Sequence, residues 1–260
     1  MMGSQEANGG TVGKAIAILD QIAAYERPVR FAEILSESLL PKATLYRLIQ
    51  TLNNQGLLSY NNADSTYILG LRLVKLAHSA WRQSTLAPIA RPILDQLAAD
   101  LRETLHLAQM DNGQVFYIDK RNAEKPVEMF SSAGKTGPGH CTGVGKAIMA
   151  YMNPDDQTKA LKHQSFFRYT ANTIVTEKDL KAELVEITKT GIAFDREEHE
   201  PGIICIATPI LNAHKHSIGA ISLTSTTNRH SIESLKIHAE KLRNAAKKIA
   251  ETTKNWQFPS

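Results

Sequence analysis

The stretch LPKATLYRLIQTLNNQGLLSYNNADSTYILG, residues 40–70, decides how the front of this chain folds. Leu45, Leu48, Ile49 and Leu52 recur at helical spacing and form one apolar stripe. A 100° step per residue turns Ala43, Tyr46, Arg47, Gln50 and Asn54 to the opposite side. Pro41 suits the opening of that helix, because its fixed φ fits the first turn and no needed donor is lost. The helix is expected to end near Gly56. Two strand-like runs rich in Leu, Tyr and Ile then flank the turn chemistry of Asn61, Asn62, Ala63, Asp64 and Ser65. Upstream, Val12, Ala15, Ile16, Leu19, Ile22 and Ala23 outline an amphipathic helix over 12–25, and a shorter pattern covers 31–37. Helix, helix, turn, helix and hairpin make a winged helix-turn-helix over 11–70, behind a flexible tail at 1–10.

The outward side of the third helix carries no acid. A helix about 10–12 Å across fits the major groove of a duplex, where its first residues reach base edges. Those residues are Lys42, Ala43, Thr44, Tyr46 and Arg47. Lys42 and Arg47 can meet phosphate or guanine acceptors, Thr44 can bond phosphate or base, and Ala43 lets the backbone approach a thymine methyl. Asn61 and Asn62 at the wing tip can reach the neighbouring minor groove. From sequence alone, a plain solvated helix surface explains the same face about as well. Residues 1–75 hold seven Lys and Arg against six Asp and Glu. One copy would therefore bind a polyanion weakly, and binding implies paired copies.

Working outward, residues 71–85 read as a linker helix with Leu73, Val74, Ala77, Ala80 and Trp81 on one stripe, expected to face a partner copy. Ile89, Ile93, Leu97 and Leu101 begin the back part, residues 86–260. There the period changes to that of strands: LHLAQM and VFYID form a hairpin about a turn at 111–113, and VEMFSS (127–132) is expected as a further strand. A glycine-rich loop at 134–139 leads to a helix over 142–152. Thr176 and Asp179 mark the cap of another helix, with Leu180, Leu184 and Ile187 inward. ICIATPIL (204–211) and IGAISLTST (218–226) are two more strands, followed by a terminal helix over 231–253. The whole is α+β, its back part an antiparallel sheet with flanking helices.

The chain has 260 residues, enough for about two domains, with 42% apolar and 22% charged residues and a net charge of +4. No apolar run reaches the roughly 18 residues a membrane helix needs, and residues 1–10 lack the pattern of a signal peptide. A cytoplasmic protein with no membrane partner is expected. Cys141 and Cys205 form no CxxC pair, so no disulfide framework is expected.

GPGHCTGVGKAIMAY (137–151) fails the phosphate-loop pattern at His140 and Ala147, and fails GxGxxG at Ile148. It remains a glycine-rich helix entry, suited either to a small carboxylate or simply to close packing. GIAFDREEHEPGIICIATPI (191–210) places Asp195, Glu197, Glu198, His199 and Glu200 in a loop between strands, with Cys205 in an apolar run. Cys205 reads as a small buried hydrophobe. A thiol enzyme using Cys141 or Cys205, with His140 or His199 as base, is the second reading. His140, Cys141, Asp195, His199 and Cys205 are legal zinc ligands without ligand spacing, so no metal, no cofactor and no catalytic residue is expected.

Taken together and in order, LPKATLYRLIQTLNNQGLL, YILGLRL, ETLHLAQMDNGQVFYID, HCTGVGKAIMAY, GIAFDREEHEPGIICIATPI and AISLTS resemble the IclR family of bacterial transcriptional regulators. The resemblance implies a winged helix-turn-helix on double-stranded operator DNA, a linker helix and a GAF-like effector domain that binds a small organic acid. It also implies a homodimer or homotetramer, most often a repressor. By matching motif, Met129, Phe130, Gly143, Val144, Asp195, Cys205, Ser222 and Thr224 would line the effector pocket. Lys42, Ala43, Thr44, Tyr46 and Arg47 would supply the recognition helix. Ala43 stands where relatives often carry Ser, so a side-chain bond to DNA is lost there. A short four-carbon acid such as succinate semialdehyde fits the implied pocket, as do aromatic and sugar acids.

Overall fold

The computed structural model describes residues 10–84 and 86–253, apart from the side chains of 81–84. The chain divides into two compact units, residues 1–83 and 84–260. Most of the expected 1–10 tail lies outside the described residues, as do residue 85 and the side chain of Trp81.

The first unit runs α1 (Gly10–Ala24), β1 (Val29–Arg30), α2 (Phe31–Glu37), α3 (Lys42–Asn54), β2 (Leu58–Asn61), β3 (Thr66–Leu69) and α4 (Leu71–Ser84). Its three strands are antiparallel in the order β1-β3-β2. The α3 stripe Leu45, Leu48, Ile49 and Leu52 is buried against Ile18, Ile22, Val29, Ile34, Leu58 and Tyr67, which gives this small unit its own core. Pro41 sits one place earlier than expected, at the cap, where its carbonyl accepts from Leu45 N at 3.0 Å.

One expectation fails in α1. Val12, Ile16 and Ala23 face outward while Ile18 turns in, because the stripe that meets α3 and β3 is Ala15, Ile18, Leu19 and Ile22. Strand β1 is only two residues long and is held by its pairing with β3, Val29 opposite Tyr67 and Arg30 opposite Thr66. The described side chains of α4 are exposed apart from half-buried Leu73, with Leu71, Val74 and Leu76 all open.

The second unit runs α5 (Ala87–Leu101), β4 (Thr104–Asp111), β5 (Gln114–Arg121), β6 (Thr136–Pro138), α6 (Gly143–Ala150), α7 (Pro154–Lys162), α8 (Glu177–Thr190), β7 (Ala193–Arg196), β8 (Ile203–Leu211), β9 (Ser217–Thr226), α9 (Ile232–Lys236) and α10 (Ala239–Thr252). The six strands form an antiparallel sheet in the order β6-β5-β4-β9-β8-β7. Alternation sorts its residues. Ala108, Ala193, Ala207 and Ala220 pack under α6 and α8, while α5 and α10 cover the other face. The architecture is therefore α+β, with a helix-turn-helix unit followed by a curled antiparallel sheet between helical layers.

Four further differences have physical causes. Segment 127–132 is no strand: the Phe130 amide donates to the Glu200 carboxylate and the Ser131 carbonyl accepts from Lys120 Nζ, so neither enters a ladder. The third strand is β6, whose Thr136–Pro138 pairs with Phe116–Gln114. Helix α5 includes Pro92 and buries Ala87, Ala90, Leu94 and Leu97, leaving Ile89 and Ile93 half-buried. Helix α7 was not anticipated. Asn153 caps it, accepting from Asp156 N, and Pro154 opens it. The terminal helix is broken between Lys236 and Ala239.

Helix α6 starts where backbone meets backbone. Thr142 accepts from Gly145 N at 3.3 Å, and a Cβ on Gly145 would collide with the Gly139 carbonyl. Replacing Gly145 by Ala should therefore destabilise the protein by about 1–3 kcal/mol, the usual cost of overpacking. A denaturant titration checks this; an unchanged midpoint would show that the approach can relax.

Candidate functional site

The helix-turn-helix unit presents the face expected from its sequence. Lys42, Ala43, Tyr46 and Arg47 are exposed and Thr44 is half-buried. Tyr46 is 54% exposed, yet its ring meets Phe31 edge-on at 5.9 Å, so packing from α2 sets its direction. At the wing, Asn61 has its carboxamide engaged: Nδ2 donates to Asp64 at 3.0 Å and Oδ1 accepts from Ala63 N at 3.0 Å. It shapes the tip; both Asn61 and Asn62 are exposed there.

In the second unit, sheet register gathers the expected pocket residues. Asp195 pairs with Cys205, and Cys205 with Thr224, across three strands, while Ser222 pairs with His106. Paired residues share a face, so these side chains converge under the start of α6. They line a cavity of about 30 Å³ together with Gly143 and Val144. That volume holds one or two waters, on the order of 10–15 Å³ each. Met129 lines no part of it. Phe130 is 45% exposed and lines a neighbouring groove of about 480 Å³.

Sequence reading passed over His106, Tyr117, Ser131, Thr142 and Ile203 as lining residues, and it named His199 and Glu200 only as members of the loop after Asp195, not of this cavity. His106 Nε2 lies 2.9 Å from the Ser131 hydroxyl, and Nδ1 lies 3.3 and 3.2 Å from those of Ser222 and Thr224. Burial pushes its pKa down to about 3, so the imidazole is neutral among three hydroxyls. A signal was available: in β4, period-2 alternation puts Thr104, His106 and Ala108 on the side that Ser222 and Thr224 occupy in β9.

At the start of α6 the chain comes so near β8 that a Cβ on Gly143 would stand 2.5 Å from Cys205 Sγ. The Gly143 N–H faces that sulfur. The close approach of α6 to β8 thus fits the packing role of this glycine-rich helix entry. Lys146 points inward and is wholly buried, its Nζ 2.6 and 2.7 Å from the Glu198 oxygens and 3.5 Å from Glu183. No spacing rule linked residues 146 and 198.

Asp195 lies in β7, not in the loop, and its Oδ1 accepts from Glu198 N at 2.7 Å. Burial, then the nearby Glu198 charge, raises its pKa to about 7. Glu200 goes the other way: burial opposes its charge, but hydrogen bonds from His199 and the Phe130 amide hold it below the usual carboxylate range. Burial pushes both Cys141 and Cys205 far up, so each is a thiol at neutral pH and a poor nucleophile. Among the described residues neither cysteine hydrogen-bonds a histidine, His140 Nε2 being turned to the Phe167 carbonyl. No helix among them is long and apolar enough to cross a membrane.

An exposed, acid-free third helix in a winged helix-turn-helix unit, followed by an antiparallel-sheet unit with a buried polar cavity, is the build of a two-part transcriptional regulator. Comparison with known proteins agrees. Residues 11–62 match the IclR helix-turn-helix domain, and residues 78–251 match the model described as bacterial transcriptional regulator IclR C-terminal. The chain belongs to the IclR family of transcriptional regulators. It is 28% identical over 249 residues to the HTH-type transcriptional regulator KdgR of Escherichia coli, covering 96% of this chain and 94% of that one. To the transcriptional repressor IclR of the same organism it is 28% identical over 218 residues, covering 83% and 80%. The crystal structure of Thermotoga maritima IclR superposes with a TM-score of 0.78 at 27% identity, covering 94% of this chain and 98% of that one.

The raised Asp195 pKa has a stability consequence. Unfolded, this carboxyl ionises near 3.8; folded, it keeps its proton to about 7. Between those values the native state binds the extra proton, so its contribution to stability falls as pH rises from about 4 to 7. The loss is at most about 1.4 kcal/mol per pH unit. Asp195→Asn should remove that slope while still accepting from Glu198 N. Urea denaturation of both proteins at pH 5 and 8 tests it; equal pH dependence would mean Asp195 ionises normally.

Proposed function

We propose that the chain is a cytoplasmic repressor: α3 and the wing bind an operator duplex, and a small organic acid entering the cavity of the second unit releases or rearranges the complex. In this reading 11–70 is the DNA-binding domain, 71–85 the linker and 86–260 the effector domain. Lys42, Ala43, Thr44, Tyr46 and Arg47 face the major groove, with Asn61 and Asn62 at the wing. Gly143, Val144, Asp195, Cys205, Ser222 and Thr224 receive the effector, and Phe130 stands beside them. The observation that carries the reading is the exposed, acid-free face of α3 on a unit whose apolar stripe is fully used in its own core.

A unit with so little net charge gains useful affinity only in duplicate, so the working form is a homodimer or homotetramer. The open apolar side chains of α4, Leu71, Val74 and Leu76, supply surface for that association. The effector acts by binding one arrangement of the assembly better than another, since equal affinity would shift nothing. Among the short four-carbon acids that suit the pocket, succinate semialdehyde is the first compound to try.

Arg47→Ala should weaken binding to the chain's own promoter by about 1–3 kcal/mol, near tenfold or more, and flatten the salt dependence by about one unit of slope if the contact is to phosphate. Gel shifts at two salt concentrations measure both, and unchanged affinity would remove α3 from the interface. A thermal-shift screen of short acids addresses the effector. One present at a hundred times its Kd should stabilise the protein by about 2.7 kcal/mol, and a panel without any shift would end the organic-acid reading.

A further inference from the structure

The cavity and the groove beside it share a wall. His199 and Glu200 line both, while Phe130 lines the groove and the next residue, Ser131, lines the cavity. The wall is held by local polar contacts and no strand ladder. The Glu200 carboxylate accepts from Phe130 N at 3.0 and 3.2 Å and lies 3.6 Å from His199 Nδ1. Lys120 Nζ donates to the Ser131 carbonyl at 2.8 Å, and the Ser131 hydroxyl meets His106 at 2.9 Å. On the groove side the His199 ring stands edge-on to Phe130 at 5.3 Å and to Tyr169 at 4.8 Å, and Phe167 meets Tyr169 at 5.0 Å.

Two magnitudes point the same way. Ligand pockets usually run to about 300–1,000 Å³. The cavity of about 30 Å³ is far too small to be a complete site, whereas the groove of about 480 Å³ is not. Among the described residues, the second unit exposes five large apolar side chains; two of them, Phe130 and Tyr169, line this groove, and a third, Phe167, stands edge-on to Tyr169. Clustered exposed aromatics rimmed by polar groups mark a binding surface; scattered ones do not.

We propose that groove and cavity are two compartments of one effector site, parted by the Phe130–His199–Glu200 wall. Its ligand is a two-part molecule, with a short hydroxyl-, carbonyl- or carboxyl-bearing head for the cavity and a flat, apolar tail for the groove. This rests on the reading of the cavity as the effector site. The head meets the hydroxyls of Ser131, Ser222 and Thr224 and the neutral ring of His106. The tail lies against the faces of Phe130 and Tyr169. His199 decides how long a ligand the site accepts, because it must turn aside before head and tail can be occupied together.

Cys205 on the cavity wall offers a readout that needs no effector. In Cys141→Ala protein it is the sole thiol, and its labelling rate with benzyl and methyl methanethiosulfonate reports passage through the wall. The benzyl reagent should react faster, because the groove receives its ring. Phe130→Ala should raise that rate roughly tenfold by loosening a local opening, and Thr136→Trp, which fills the groove from an exposed strand position, should lower it severalfold. A faster methyl reagent would overturn the ligand class. Rates indifferent to both replacements would overturn the shared site, as would Cys141, labelled in a Cys205→Ala protein, speeding up in step. If Phe130→Ala does not fold, Thr136→Trp alone decides. Labelling that responds as expected while no acid binds would keep the joined compartments and reject the effector reading.

Discussion

Lys146 has no exposed surface, and its ammonium group lies within hydrogen-bond reach of both oxygens of Glu198. The start of α6, which closes the cavity, and the loop after β7 in the second unit are joined by this pair. Asp195 then accepts from the Glu198 amide, and His199 and Glu200 follow directly to form the cavity's outer wall. Removing one partner of such a pair typically costs about 3–5 kcal/mol, because the other charge stays buried and uncompensated. A lysine that superficially belongs to a phosphate loop thus points away from any phosphate and serves as an internal strut.

Around that strut the cavity is polar without being basic. Its wall carries two carboxyl groups held in different states: Asp195 keeps its proton up to about neutral pH, and Glu200 is held ionised by the donors it accepts from. His106 is neutral and shared among three hydroxyls. Any guest of such a network would have to exchange these hydrogen bonds for its own, so hydrogen-bond geometry would weigh more than charge attraction. The DNA-binding unit follows the opposite logic. Its core is small and complete, and the polar side chains of α3 are left on its exposed side.

The helices and strands with one clean period were legible in the chain. Leu45, Leu48, Ile49 and Leu52 in α3, and Leu180, Leu184 and Ile187 in α8 behind its Thr176 cap, are buried where their spacing placed them. Where two stripes overlapped, as in α1, periodicity placed Ala15, Leu19 and Ile22 rightly but took Val12, Ile16 and Ala23 with them, since only the approach of α3 and β3 selects Ile18 over Ile16. Segment 127–132 had the composition of a strand, yet its backbone groups found a carboxylate and a lysine instead of a neighbouring strand. Ser222 and Thr224 were readable as a pair because they sit two apart on β9. Their partner His106 lies more than a hundred residues away, and only sheet register brings it to them.

The amino-acid order by itself determined the class of fold, the two-part organisation and the polar face of α3, because each follows from a repeat or cap spanning fewer than about twenty residues. Tertiary structure alone decided the size of the cavity, the inward turn of Lys146, the opposite protonation of Asp195 and Glu200, and the wall shared with the aromatic groove. Those properties depend on burial and on distances between residues far apart in the chain, and no local pattern encodes either quantity.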